Sequence, residues 1–105
     1  NFDLRNSADD QSQRMLNALL PDTVLPIHRH RDTAETVVVI RGCMTEIFYD
    51  DNGTEVARQL LSPSSGIYGL QIPAGQWHTI VVHEPTVIIE CKDGSYSPIS
   101  PDDLL

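Results

Sequence analysis

The spacing of hydrophobic residues along this chain changes near Pro21. Between residues 7 and 20, apolar side chains recur three and four positions apart, which is the pattern of one face of a helix. These side chains are Met15, Leu16, Leu19 and Leu20. Ser7 is a residue type that caps helix N-termini, and acidic residues follow it in the first turn. Because Pro21 cannot continue a helix, the pattern predicts one short N-terminal helix within residues 1–21.

After Pro21 the pattern is that of short strands. Seven segments rich in Val, Ile, Thr and Tyr follow one another, and turn-forming residues separate them. The segments are TVLPIHRH, ETVVVIRG, CMTEIFYD, EVARQLLS, IYGLQIP, WHTIVVH and TVIIECK. The tetrapeptide DNGT, from residue 51 to 54, contains the Asn-Gly pair of a tight hairpin turn. The spacing predicts an all-β antiparallel sandwich or barrel over residues 22–92, and a tail over residues 93–105 that wraps the surface.

Length and charge narrow the class of protein. A chain of 105 residues suits a single domain that buries a core without disulfides. Seven basic against fifteen acidic residues give a net charge of -8, which argues against nucleic acid and against an anionic membrane surface as partners. Neither Cys43 nor Cys91 belongs to a CxxC pair, and we expect both to be reduced. With no signal peptide recognised, the sequence favours a cytoplasmic setting.

Histidines carry the clearest chemical signal. His28 and His30 lie one residue apart on a predicted strand, so their side chains point to the same face. A turn through residues 32–34 would return Glu35 to their side, and two imidazoles with a carboxylate suit a divalent transition metal. In this segment alone, an incidental pair of histidines is the commoner explanation. His78 makes a metal site the better explanation, because burying three imidazoles against apolar strand faces is costly and a metal ion removes that cost.

The two histidine segments resemble the two signature motifs of the cupin superfamily. The first motif is glycine, five residues, His-x-His, three or four residues, Glu, six residues and Gly, and the stretch from His28 to Gly42 matches it from the first histidine onward. PAGQWH, which ends at His78, matches the centre of the second motif, Pro-x-Gly followed by two residues and His. The leading glycine of each motif and the last asparagine of the second are absent. Residues Asp22, Ile67 and Val82 stand there instead, at positions that carry no ligand in the family.

Longer stretches are similar to the small WbuC-type cupin-fold metalloproteins, a family associated with bacterial surface-polysaccharide (O-antigen) gene clusters. These stretches are QRMLNALLPDT, ETVVVIRG, FYDDNG, IPAGQWHT and ECKDGSY. The resemblance covers nearly the whole chain and implies a single-domain antiparallel cupin β-barrel of jelly-roll type. It also implies that His28, His30, Glu35 and His78 bind one divalent transition metal, with Zn, Fe, Mn, Ni and Co all open.

Further residues are candidates for binding a small molecule. Glu90 and Lys92 share one face of the last predicted strand, and Tyr96 follows a turn. Together with Arg14 on the predicted helix, they are candidates to line the mouth of the barrel and to bind a polar or anionic ligand. The alternative is a solvated ion pair on an edge strand, which contributes little to stability. His83 has the opposite face parity to the metal-ligand candidate in the same strand and is expected at the surface.

The outward faces of the strands bear on assembly. If Glu35 points inward, Val38 and Ile40 point outward, and Val81 points outward on another strand. Strands that are apolar on both faces are covered on both faces. The predicted helix would cover one patch, and a homodimer interface is the expected cover for the rest, with a monomer that exposes a small patch as the alternative.

The sequence leaves the function open between an enzyme and a binding protein, and it identifies no catalytic residue. One hypothesis is a metal-dependent step on a sugar or sugar nucleotide in surface-polysaccharide biosynthesis, with the metal as Lewis acid. An Fe(II)-dependent oxygenase belongs to the same class. The alternatives are a non-catalytic module that binds or senses a saccharide or metabolite, and a structural metal in a partner-binding protein. Since an enzyme needs an acid or base besides the ligands, the direction of Glu90 and Lys92 discriminates between these hypotheses.

Overall fold

A computed structural model describes residues 1–105, which form eight strands in two antiparallel sheets. The strands are β1 Phe2–Asp3, β2 Ser12–Leu19, β3 Glu35–Arg41, β4 Met44–Tyr49, β5 Glu55–Leu61, β6 Gly69–Ile72, β7 Trp77–Val82 and β8 Thr86–Asp93. One sheet has the order β1-β2-β8-β3-β6 and the other the order β5-β4-β7. The only helices are two short 3-10 turns, Pro63–Ser65 and Pro101–Asp103, and no helix has the length and apolar character needed to cross a bilayer. The prediction of an all-β antiparallel fold is confirmed as a two-sheet sandwich.

The predicted N-terminal helix is wrong, because the same residues form β2. This strand pairs antiparallel with β8 along its whole length, from Ser12 opposite Asp93 to Leu19 opposite Thr86. As in any strand, neighbouring side chains point to opposite faces, and Leu19 is buried in the core while Ala18 is exposed. The backbone groups along the edge of β8 need partners, and pairing eight residues with them outweighs the local helical preference of this segment.

The segment TVLPIHRH is the second departure from the predicted elements, because residues 21–31 form no strand. Their only ladder contacts are two isolated bridges at His28, one with His78 and one with Leu104. The amide of His28 donates to the carbonyl of His78 at 3.1 Å, and the amide of His78 donates back at 2.8 Å. Pro26 has no amide hydrogen to extend this pairing. One bridge is nevertheless enough to place the two histidines side by side.

The hydrophobic core lies between the two sheets. It consists of Leu19, Val37, Val39, Met44, Leu61, Ile72, Val82 and Ile88. The alternation that buries Val37 and Val39 also turns Glu35 inward, and Lys92 lies opposite Glu35 in the ladder between β3 and β8. The interior is therefore apolar along most of its length and polar at one end, where β3 and β7 begin and β8 ends.

The hairpin turn, the two cysteines and the C-terminal tail can be compared with their sequence-based expectations. The predicted hairpin turn joins β4 to β5, with Gly53 at a φ of 81° and its amide donating to the carbonyl of Asp50 at 3.0 Å. Cys43 and Cys91 are both free and half-buried. The tail continues beyond Asp93 without a further strand and packs against the segment that carries the first two histidines.

Candidate metal centre

Three histidines meet at the polar end of the interior. His28 and His30 come from the segment before β3, and His78 is the second residue of β7. Each offers one ring nitrogen, and these nitrogens all lie within 4.8 Å of one another. The ring centroid of His78 lies 4.3 Å from that of His28 and 5.7 Å from that of His30. Such spacing allows three imidazoles to share one cation.

Backbone hydrogen bonds orient two of these rings. Nδ1 of His28 lies 2.9 Å from the carbonyl oxygen of Pro26, and Nδ1 of His78 lies 2.8 Å from the carbonyl oxygen of Gln76. Since a carbonyl oxygen can only accept, each Nδ1 carries the proton and each Nε2 keeps its lone pair. Carbonyl oxygens that fix the tautomer and orientation of an imidazole in this way are typical of protein metal sites.

Glu35 places a carboxylate against two of the imidazoles. Its Oε2 lies 3.5 Å from Nε2 of His30 and 3.6 Å from Nε2 of His78. The same oxygen is buried and has no hydrogen-bond partner in the protein. A buried charged oxygen without a partner is costly, and a cation held between these side chains would remove that cost. Three imidazole nitrogens and one carboxylate oxygen therefore fit a divalent transition metal such as Zn, Fe, Mn, Ni or Co.

Electrostatics favour the protonation states that a metal requires at His28, His30 and Glu35. At His78, burial would lower the pKa, but the neighbouring carboxylate of Glu35 and the hydrogen bond to the carbonyl of Gln76 raise it above its usual value. Burial lowers the pKa of His28 and, with the charge of Lys92, lowers the pKa of His30 to about 4. Burial by itself would raise the pKa of Glu35, but the neighbouring His78 and the charge of Lys92 help to outweigh it, and the pKa is about 2. At neutral pH, His28 and His30 are thus neutral and Glu35 is ionised.

The last strand turns both of its candidate residues into the interior. Lys92 lies opposite Glu35 and Glu90 lies opposite Val37 in the ladder between β3 and β8. Asn17 of β2 donates from Nδ2 to Oε1 of Glu90 at 3.1 Å. Burial and the adjacent Glu35 raise the pKa of Glu90 to about 7. The inward direction of Glu90 and Lys92 is the one that an enzyme requires.

Glu46 is a buried carboxyl that the sequence patterns did not single out. It lies on β4, is 2% exposed, and has no partner for its Oε2. Burial raises its pKa to about 8. The available signal was the alternation in CMTEIFYD, because the strand that buries Met44 on its inner face also turns Glu46 inward.

A polar cleft of about 680 Å³ opens beside His30. Seventeen residues line it, of which only two are hydrophobic, and His30, Lys92 and Tyr96 are among them. Arg14 lies elsewhere: its Nη2 contacts Oδ2 of Asp10 at 2.9 Å, and it is not part of the cleft. The structure thus brings Lys92 and Tyr96 to the cleft and Glu90 to the interior, but it does not bring Arg14 to this site.

The C-terminal tail forms part of the wall of the cleft and is fixed to the histidine segment. Oδ1 of Asp103 accepts hydrogen bonds from Nε of Arg29 and from Nη2 of Arg31, both at 2.9 Å. The amide of Leu105 donates to the carbonyl of Ile27 at 2.9 Å. Arg29 and Arg31 alternate with His28 and His30 along the chain. Their hydrogen bonds to Asp103 therefore fix this segment while the imidazoles stay free to bind a metal.

Trp77 and His83 lie away from the imidazole cluster. Arg29 lies over the ring of Trp77, with its guanidinium carbon 4.4 Å from the ring centroid, and the indole nitrogen donates to Asp51 at 3.0 Å. His83 is exposed, as predicted, and its Nε2 lies 2.7 Å from Oγ1 of Thr45. One of the four histidines is therefore a surface residue.

Solved structures of known proteins share this architecture. CapF, a capsular polysaccharide assembling protein from Staphylococcus aureus, matches with a TM-score of 0.75 and 23% identity over 91% of this chain and 27% of its own. A dTDP sugar isomerase from Desulfovibrio desulfuricans G20 matches with a TM-score of 0.69 and 21% identity over 86% of this chain and 64% of its own. A mutant of Bacillus subtilis oxalate decarboxylase OxdC matches with a TM-score of 0.66 and 19% identity over 83% of this chain and 22% of its own. These are cupin-fold proteins, and the chain has the cupin fold.

Sequence comparison identifies the family of this chain. It belongs to the family described as a domain of unknown function (DUF6016), whose model matches residues 1–61. No curated protein matches it in sequence. The chain spans between 22% and 64% of the length of the three solved structures above.

Proposed function

We propose that this chain is a metal-binding cupin in which His28, His30, Glu35 and His78 hold one divalent transition metal. The observation that carries the proposal is Oε2 of Glu35, which is buried, without a partner, and 3.5 and 3.6 Å from Nε2 of His30 and His78. When bound, such a cation supplies Lewis-acid polarisation of a ligand oxygen. The fixed tautomers of His28 and His78 mean that the protein is already arranged for the cation before it binds.

The ligand of this centre is a small, oxygen-rich molecule of the sugar or sugar-nucleotide class. The cleft beside His30 is lined mostly by amide, hydroxyl and charged side chains, which suit a hydrophilic ligand better than an apolar one. Lys92 is the cation that reaches both the cleft and the metal ligands, and it would pair with an anionic group of the ligand. CapF and the dTDP sugar isomerase have matching folds, which supports a place in surface-polysaccharide biosynthesis. The WbuC-type assignment rests on the sequence resemblance.

Glu90 is the residue to which we assign proton transfer. Its Oε1 accepts a hydrogen bond from Nδ2 of Asn17, so the proton of the neutral carboxyl resides on Oε2. A pKa of about 7 allows the group to exist in either form near neutral pH. Asn17 positions the carboxyl without taking part in the transfer.

Binding of a sugar nucleotide tests the assignment of the cleft. We expect metal-loaded protein to bind dTDP-glucose in isothermal titration calorimetry, and Lys92→Met to weaken that binding about tenfold or more through loss of a charged hydrogen bond. Arg58→Met is the matched control, since Arg58 is an exposed cation paired with Glu55 on β5, away from the cleft. Equal affinity in wild type and Lys92→Met, with equal metal content, would contradict the role of Lys92, and no binding at all would contradict the sugar-nucleotide class.

We further propose that two copies of the chain associate as a homodimer through the outer face of the larger sheet. On this face Val38 of β3 and Leu16 of β2 both lie opposite Ile89 of β8, which makes an apolar row across three strands. Ile40 extends the same face and is 54% exposed. The predicted covering helix is itself a strand of this sheet and cannot cover the face, so Val38, Leu16 and Ile89 are only half-buried within one chain.

A further inference from the structure

Glu46 is the one deeply buried ionisable residue that neither the motifs nor the proposed function uses. It is 2% exposed, and glutamate is almost never buried to this extent unless it is paired. Its Oε2 has no hydrogen-bond partner in the protein. Burial of a carboxyl oxygen without a hydrogen-bond partner is unfavourable, so this oxygen is a candidate to contact a bound ligand.

The position of Glu46 relates it directly to the histidine cluster. In the ladder between β4 and β7, Phe48 lies opposite His78 and Glu46 lies opposite Ile80. Glu46 and His78 are thus diagonal neighbours on the inner face, a relation in which Cα atoms are roughly 7–8 Å apart and long side chains meet. Glu46 belongs to the three-stranded sheet and Glu35 to the five-stranded sheet, so the two carboxyls enter the interior from opposite sheets.

Only two buried side-chain nitrogen or oxygen atoms of the chain lack a partner, and they are Oε2 of Glu35 and Oε2 of Glu46. Both oxygens belong to carboxyls, and both carboxyls neighbour His78. A single divalent cation would provide a favourable charge for both groups, whereas a separate explanation for each would require two independent defects in one small core.

We propose that Glu46 is a further carboxyl of the metal centre and stabilises the bound divalent cation from the three-stranded sheet. The inference rests on the proposed metal-binding function and adds a residue that lies outside both histidine motifs. It assigns the unpartnered oxygen of Glu46 an electrostatic and hydrogen-bonding role toward the cation and the small molecules held there.

Cobalt binding tests this role without any assay of activity. Co(II) affinity, followed by its visible absorption, is expected to fall about 10–100-fold in Glu46→Gln, the range typical of changes at residues that support metal ligands. Glu84→Gln, the same substitution on an exposed loop, should stay within about twofold of wild type. An affinity of Glu46→Gln within about twofold of wild type would overturn the inference and leave the metal site intact, whereas a wild-type chain that binds no Co(II) would overturn the proposed function itself.

A second variant separates binding from folding. Glu46→Leu removes the unpaired polar atom, so we expect the Tm of the metal-free protein to rise while the increase in Tm on adding Co(II) becomes smaller than in wild type. A Co(II)-induced increase in Tm equal to that of wild type would contradict a role in metal binding. A lower Tm of the metal-free protein would show that the carboxyl has a partner within the protein, and this result too would overturn the inference.

Discussion

At the residue scale, Gly42 shows why the turn from β3 to β4, at the opposite end of β3 from Glu35, tolerates little change. It has a φ of 105°, a conformation that side chains rarely adopt. A Cβ at this position would lie 2.5 Å from Oγ1 of Thr86 and 2.6 Å from the carbonyl oxygen of Pro85. Gly42 therefore allows the turn from β3 to β4 to pack against the start of β8, which positions β4 and its inward Glu46.

The packing around Gly42 predicts an unequal response of two glycines to the same substitution. Gly42→Ala is expected to lower the free energy of unfolding by about 2–5 kcal/mol, which combines backbone strain with overpacking. Gly66 also has a positive φ, of 75°, but a Cβ there would meet nothing within 4 Å, so Gly66→Ala should cost only the strain, about 1–2 kcal/mol. Urea unfolding of the two variants beside wild type measures both values, and equal losses would show that the space around Gly42 does not matter.

At the element scale, strands whose residues are typical of strands could be predicted from the sequence. β2 could not, because its apolar residues recur at helical spacing. β3 and β8 are rich in β-branched residues, which favour strands, and both lie where the sequence predicts them. β2 carries apolar residues at helical spacing, and its strand character depends on the distant β8 as a partner. The isolated bridge of His28 also depends on a distant residue, which local periodicity does not contain.

The residues of the metal centre also divide into those that local sequence motifs predict and those that depend on the pairing of distant strands. His28, His30, Glu35 and His78 stand at spacings characteristic of a known pair of motifs, and the structure brings all four together. Asn17 and Glu46 lie outside these motifs. The position of Asn17 beside Glu90 requires β2 to be a strand, and that of Glu46 beside His78 requires the register of β4 on β7. Both facts arise from pairing between strands.

At the scale of the whole molecule, the sandwich has a polar centre inside and an apolar outer face on its larger sheet. We expect size-exclusion chromatography with light scattering to give about twice the chain mass of 11.7 kDa. Ile40→Glu places a charge on the proposed interface and should give a monomer, while Val81→Glu, on the smaller sheet, should remain a dimer. A wild-type chain that is monomeric at all concentrations would rule out the homodimer.

The central claim of the account is that the three histidines and Glu35 bind one metal ion. Elemental mass spectrometry of the purified chain measures this directly, beside His78→Ala and the control His83→Ala, which changes an exposed histidine bonded to Thr45. The account predicts about one divalent transition-metal ion per chain in wild type and in His83→Ala, and at least a tenfold loss in His78→Ala, because each imidazole supplies a metal bond. A wild-type chain that holds no metal after reconstitution, or a His78→Ala variant that keeps its full content, would contradict the account.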